Sequence, residues 1–140
     1  MIKNLLPKIL RKVSIITKPY KGHICSFDEA NDRIVFVKKE ILSRNYLKRA
    51  TEIYFKKELS KREFLLICLL HELGHRYRII NKLADNKLYR LQRNALDYKY
   101  RSNEVDNIII YWNHITEEKE AMNFAKRIFN KIPNKNDNKI

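Results

Sequence analysis

Residues that interrupt regular structure are rare in this chain, which has two glycines and three prolines among 140 residues. Because these residue types most often end helices, their scarcity predicts a mostly helical protein. Long apolar runs are missing as well. The longest candidate, residues 64–73, covers about half of the roughly 20 residues that a membrane-spanning helix requires. We therefore expect no membrane span.

A chain of this length suits one domain with a modest hydrophobic core and leaves no room for a second catalytic domain. We predict a single domain over residues 1–133 and a flexible, polar tail over residues 134–140. The two cysteines, Cys25 and Cys68, lack the C-x-x-C spacing of many metal sites and could form at most one disulfide. A reduced, cytoplasmic protein is the simpler interpretation.

Acidic residues are outnumbered, since 30 lysines and arginines face 16 aspartates and glutamates and give a net charge of +14. Such a charge favours DNA or another acidic partner, such as anionic lipid or an acidic protein. The basic residues are nevertheless scattered along the whole chain, without a compact block or a recognisable nucleic-acid-binding motif. The charge alone leaves open whether this surface binds DNA, anionic lipid, an acidic protein or no partner.

Apart from one hairpin, the apolar residues follow helical spacing. Residues 23–38 predict two short strands around a polar turn, whereas residues 106–112 fit either a helix or a strand. Ser60 and Glu63 form a capping-box pattern, which predicts that a helix begins at Lys61. Further helices are predicted over residues 2–16, 39–57 and 83–100, and after Thr116 as N-cap. The sequence thus predicts an α+β fold, mostly helical with a short antiparallel sheet.

The strongest functional signal is His71-Glu72-Leu73-Gly74-His75, an H-E-x-x-H pattern. Four residues make about one helical turn, so both imidazoles project from one face and can bind the same zinc ion. Glu72 lies on the adjacent face, where its carboxylate can accept a proton from a metal-bound water. The pattern predicts one zinc ion per chain, with Glu72 as the general base.

Zinc also needs a third protein ligand and an open position for water. The metzincin continuation of the motif is excluded, because it requires Gly and His where this chain has Arg78 and Asn81. The third ligand must therefore come from later in the sequence. The candidates are Glu104, His114, Glu117, Glu118 and Glu120.

Residues 116–125 (T-E-E-K-E-A-M-N-F-A) resemble the E-x-x-A-N-x-F-A helix that follows H-E-x-x-H in ImmA/IrrE metallopeptidases. They resemble more loosely the E-x-x-A-D helix of HtpX-type gluzincins. The resemblance implies a minimal zincin-like fold, Glu118 as the third zinc ligand, and a protein substrate such as a DNA-bound repressor. Met122 departs from the family, which has Asn or Asp there to hydrogen-bond a zinc-bound histidine.

Helical geometry agrees with Glu118 as the ligand. Glu118 shares one helix face with Ala121 and Ala125, whose small side chains allow close packing against the H-E-x-x-H helix. Glu117 and Glu120 point away from this face, and we expect them to be solvated.

Two further features belong to the predicted site. The oxyanion formed during peptide hydrolysis needs a donor besides the metal, and Tyr111, His114 and Tyr77 qualify by residue type alone. Residues 33–38 are the natural candidate for an edge strand along which an extended substrate would pair.

These features together predict a zinc metallopeptidase that hydrolyses a protein or peptide substrate. One rival is a basic, nucleic-acid-associated protein whose metal site is structural or degenerate. Salt-sensitive DNA binding without metal-dependent proteolysis would favour that rival. Another is a toxin or effector protease with the same chemistry, which a secretion assay would distinguish.

Overall fold

The computed structural model describes residues 2–97, 99 and 104–133, so the predicted tail at 134–140 lies outside the described residues. Two short 3₁₀ turns, Ile2–Leu5 and Lys8–Arg11, precede the strands and helices. These are β1 (Ser14–Ile16), β2 (Cys25–Asp28), β3 (Arg33–Phe36), α1 (Lys38–Leu42), α2 (Asn45–Phe55), α3 (Lys61–Ile80), α4 (Asn86–Asp97), α5 (Val105–His114) and α6 (Thr116–Lys131). None of the described helices is long and apolar enough to cross a membrane.

The sheet has three strands in the order β1-β3-β2. The predicted hairpin is confirmed, because β2 pairs antiparallel with β3. The prediction of a purely antiparallel sheet is wrong, since β1 pairs parallel with β3. The prediction that residues 33–38 contain an edge strand is also wrong. β3 lies in the centre, and β2 is the edge strand that packs against α3.

The N-terminal segment differs from its predicted helix over residues 2–16. Pro7, which lacks a backbone N–H, lies between the two 3₁₀ turns. Farther along, Ile15 and Ile16 belong to β1, where Ile15 pairs with Ile34. β-Branched side chains pack well on a pleated surface, so a partner strand overrides their weaker helical preference.

The remaining helices follow the predictions more closely. Residues 39–57 form two helices, α1 and α2, instead of one continuous helix. Residues 106–112, which fitted a helix or a strand, lie within helix α5.

Helix α3 forms the centre of the molecule and begins as predicted. The Ser60 hydroxyl accepts a hydrogen bond from the Glu63 N–H at 3.1 Å, and the Glu63 carboxylate accepts one from the Ser60 N–H at 3.0 Å. From residue 63 to residue 74 every side chain is buried. The helix is therefore enclosed by the sheet, α1 and α6, with α6 as its most extensive neighbour.

The close packing of α3 on α6 depends on Gly74. A Cβ atom at this position would lie 3.0 Å from the Cα and carbonyl oxygen of Ala121, and 3.2 Å from the Cβ of Phe124. These distances are too short for ordinary van der Waals contact. Gly74 and Ala121 thus allow a backbone approach that brings the first turns of α6 to the H-E-x-x-H segment.

The start of α6 also differs from its prediction. The N-cap is Ile115, not Thr116, and no side chain caps the helix from that position. Instead, the Gln92 side chain of α4 accepts a hydrogen bond from the Thr116 N–H at 2.9 Å and donates one to the Thr116 hydroxyl at 3.0 Å. A distant residue thus satisfies a free N–H group of the helix terminus.

Candidate metal centre

Three predicted side chains converge where α3 faces the start of α6. His71 and His75, one turn apart on α3, have their Nε2 atoms 3.2 Å apart. The Glu118 carboxylate lies 3.0 Å from His71 Nε2 through Oε2 and 3.2 Å from His75 Nε2 through Oε1. The three donor atoms lie within 4.8 Å of one another, so this group could hold a metal ion.

The surroundings fit a metal site with one open position. The three residues border a cleft of about 420 Å³, so an ion bound between them would remain accessible from one side. One feature differs from many histidine metal sites: His71 Nδ1 is buried without a hydrogen-bond partner among the described residues. The buried Met122 side chain carries no amide or carboxylate oxygen that could accept such a hydrogen bond.

The two histidines and Glu118 strongly affect one another's pKa values. Burial raises the pKa of Glu118, but the two histidines lower it more, so the net pKa lies well below its usual range. Burial lowers the pKa of His75, yet Glu118 raises it more and brings it to about 9. Near neutral pH, metal-free protein therefore holds a proton on His75 beside an anionic Glu118. A metal ion that binds here must displace that proton.

Glu72 projects beside the cluster and is not one of the three converging residues. Burial raises its pKa well above the usual range, and the nearby Cys25 raises it further. The Cys25 thiol donates a long hydrogen bond to Glu72 Oε2 at 3.9 Å, and the backbone N–H of Phe27 also contacts the carboxylate. Glu72 therefore lies between the metal ligands and edge strand β2.

Edge strand β2 presents its outward-facing backbone groups along the cleft. The Val37 N–H donates to the Ile24 carbonyl at 2.8 Å. Because pairing alternates along an antiparallel ladder, the N–H and C=O groups of Cys25 and Phe27 turn away from β3. Cys25, Ser26 and Phe27 all line the cleft that contains Glu72.

The other carboxylates considered as ligands have different environments. Glu117, expected to be solvated, is only 5% exposed and forms a two-pronged ion pair with Arg78 at 2.9 and 3.0 Å. Glu120 is partly buried and does not line the cleft. Glu104 is exposed at the N-cap of α5, where it accepts a hydrogen bond from Asn107. Of the candidate acids, the structure brings Glu118 alone to both histidines.

The side chains named as oxyanion donors lie away from the cluster. Tyr111 donates its hydroxyl hydrogen to Asp97 at 2.6 Å, and burial followed by Asp97 raises its pKa to about 12. His114 is exposed at the end of α5, and Tyr77, 44% exposed, stacks on Phe124. None of these three lines the cleft.

Sequence reasoning missed the three residues of α4 that line the cleft, Asn86, Tyr89 and Arg93. The Arg93 guanidinium donates to the Tyr89 hydroxyl oxygen at 3.1 Å. Burial raises the pKa of Tyr89, and the negative charge of Glu118 raises it further. Their spacing of four residues on a predicted helix could have linked the pair, but no local pattern indicated that α4 faces the metal centre.

No protein-family model matches this chain, and neither a curated protein nor a solved structure matches it significantly.

Proposed function

We propose that this protein is a zinc-dependent peptidase in which His71, His75 and Glu118 hold the metal. The observation that supports the proposal best is the convergence of these donors within 4.8 Å, beside an accessible cleft. Two histidines and a carboxylate with one open position are a common ligand set of catalytic zinc. Glu72 beside the cluster adds a base where hydrolysis needs one.

Bound zinc would supply a Lewis acid that polarises a water molecule and the peptide carbonyl. Glu72 would accept the proton of the attacking water and pass it to the departing amine. Burial raises the pKa of the Glu72 carboxyl group, so its carboxylate is a stronger base towards the water proton than an ordinary glutamate.

Tyr89 is our proposed donor to the oxyanion. Its hydroxyl oxygen accepts a hydrogen bond from Arg93, which leaves the hydroxyl hydrogen to be donated towards the cleft. The raised pKa keeps that hydrogen in place at neutral pH. A positioned donor of this kind typically accounts for about 10²- to 10³-fold in rate.

Edge strand β2 supports an extended peptide as the substrate. The outward N–H and C=O groups of Cys25 and the outward C=O group of Phe27 can pair with a peptide backbone, as in other complexes formed by strand addition. The Phe27 N–H is already engaged by the Glu72 carboxylate. Such a peptide would pass directly beside Glu72 and the metal ligands. The strand that guides substrate is therefore β2, not the segment from Arg33 to Lys38.

Metal analysis combined with a proteolysis assay on unfolded proteins tests the proposal. We expect about one zinc per chain in wild type and in Glu72→Gln, and weakened zinc retention in Glu118→Ala. Hydrolysis should fall by on the order of 10²- to 10⁴-fold in Glu72→Gln, because the base is lost while the ligands remain.

Glu120→Gln is the matched control, since Glu120 lies on the same helix but does not line the cleft. It should keep both zinc and activity. A wild-type protein that binds no zinc, or a Glu72→Gln variant as active as wild type, would contradict the proposal.

A further inference from the structure

A second cavity, of about 140 Å³, lies beside the metal centre. Cys25, His71 and Glu72 line both this cavity and the larger cleft. The cavity is therefore next to the groups that would meet the peptide bond under attack, and a neighbouring substrate side chain is within its reach.

The other walls of this cavity are mostly apolar and come from four helices. Leu47 of α2, Ile67 of α3, Trp112 of α5 and Met122 of α6 supply most of them. Ile67 and Met122 are each 1% exposed, so the cavity extends into the core. The Thr51 hydroxyl is already engaged, because it donates to the Leu47 carbonyl at 2.8 Å. The lining therefore binds an occupant mainly through apolar contacts.

Size and charge restrict the occupant further. An apolar cavity of about 150 Å³ is large enough to bind benzene, so a cavity of this size accommodates one Leu, Ile or Met side chain. No lysine, arginine or aspartate of the described chain lines it, and the charged groups His71 and Glu72 also belong to the metal cleft. A charged substrate side chain would lose its hydration here without gaining a dedicated partner.

We infer that this cavity is a specificity subsite that binds a medium-sized aliphatic side chain of the substrate residue next to the cleaved bond. The inference rests on the proposed peptidase function and names its substrate class. The preferred substrates are extended peptides with Leu, Ile or Met, and not Lys, Arg or Asp, beside the scissile bond.

Cleavage of a mixed peptide library by zinc-loaded wild type, analysed by mass spectrometry, tests the specificity. At one position flanking the cleaved bond, Leu, Ile and Met should exceed Ala, Lys and Asp by about 10-fold or more, as expected for burial of one aliphatic side chain. Equal cleavage beside all residue types would overturn the inference.

Variants of the cavity wall test its location. Leu47→Phe should fill the cavity and remove the aliphatic preference, whereas Met122→Ala should enlarge it and shift the preference towards Phe. Ile53→Phe is the control on the same helix, because Ile53 is 42% exposed and outside the lining. If Met122→Ala fails to fold, Leu47→Phe still decides, and an unchanged preference in that variant counts against the subsite.

A binding measurement separates this inference from the peptidase proposal. Trp112 is the single tryptophan and lines the cavity, so its fluorescence reports occupancy without hydrolysis or metal. In chelator-treated protein, N-acetyl-leucinamide should give a saturable change that N-acetyl-glycinamide and the Leu47→Phe variant do not give. Binding without zinc or proteolysis would refute the peptidase proposal alone, whereas proteolysis without this binding would refute the subsite alone.

Discussion

Two consecutive glutamates, Glu117 and Glu118, are paired with different kinds of cation. Burial raises the pKa of Glu117, but the Arg78 guanidinium lowers it below the usual value. Its carboxylate is thus already neutralised by a two-pronged ion pair. The ion pairs that Glu118 forms among the described residues are with His71 and His75. The proton on His75 beside Glu118 can therefore be replaced by a metal ion, whereas the Arg78 cation beside Glu117 cannot.

The proposed role of Tyr89 depends on one hydroxyl group. We expect Tyr89→Phe to lower kcat by about 10²-fold with little change in KM or zinc content, because the proposed donor would act on the oxyanion and not on the substrate. Steady-state kinetics and metal analysis measure both quantities. Tyr111→Phe, which removes a hydroxyl directed at Asp97, should change kcat by no more than a few fold. A fully active Tyr89→Phe would remove Tyr89 from the mechanism.

At the scale of elements, the metal centre depends on how closely α3 and α6 pack. The ligands from α3 and Glu118 from α6 meet because Gly74 lies against the Ala121 backbone. All three candidate ligands thus come from one closely packed helix pair.

Gly74→Ala should separate the two helices and weaken the centre. The added methyl group would meet backbone atoms at 3.0 Å, so we expect a loss of about 1 to 3 kcal/mol in the free energy of unfolding. Zinc affinity should fall as Glu118 moves away from the histidines. Urea unfolding and zinc titration measure the two effects.

Gly22→Ala serves as the comparison for that experiment. Gly22 has φ +80°, so alanine there strains the backbone and lowers stability by about 1 kcal/mol, away from the α3–α6 contact. It should leave zinc affinity unchanged. Equal zinc affinities in Gly74→Ala and Gly22→Ala would contradict the role given to helix packing.

The elements that sequence reasoning predicted are those specified by local patterns. The capping box at Ser60 and the one-turn spacing of His71 and His75 depend on neighbours within four residues. The errors involve distant partners. The segment of β1 is predicted as helix because its pairing with β3 is not local. Without β1 as a partner, β3 is predicted to be an edge strand.

The same limit explains what was missed around the site. The Thr116 N–H donates to the side chain of Gln92, 24 residues earlier, so a local cap is not needed. Glu117 is buried by an arginine of another helix, and the position of Tyr89 depends on how α4 packs. None of these contacts leaves a periodic signal in the sequence.

For the whole molecule, the metal would join segments 43 residues apart, from His75 to Glu118. In metal-free protein, a proton on His75 supplies the positive charge beside Glu118 and partly replaces the metal ion in joining these segments. Because the folded pKa of about 9 exceeds the ordinary 6.5, this stabilisation is complete below pH 6.5 and is lost as pH rises through 9.

Chelator-treated protein should therefore lose about 1 to 3 kcal/mol of unfolding free energy between pH 6.5 and 9.5. Zinc-loaded protein should show little of this loss, because the ion replaces the proton as the cation beside Glu118. Urea unfolding of both forms at the two pH values measures the difference. Parallel pH profiles would contradict the exchange of proton for metal.

The two-pronged ion pair between Arg78 and Glu117 also fixes the rotation of α6 about its own axis. A slip of one residue would rotate the helix by about 100°, breaking the Arg78 pair and withdrawing Glu118 from the histidines in the same movement. The Arg78–Glu117 ion pair thus positions the carboxylate of Glu118 in the metal-free protein. Folding of the chain already supplies the free energy that assembles the three candidate ligands, so a metal ion that binds here would meet a preorganised site.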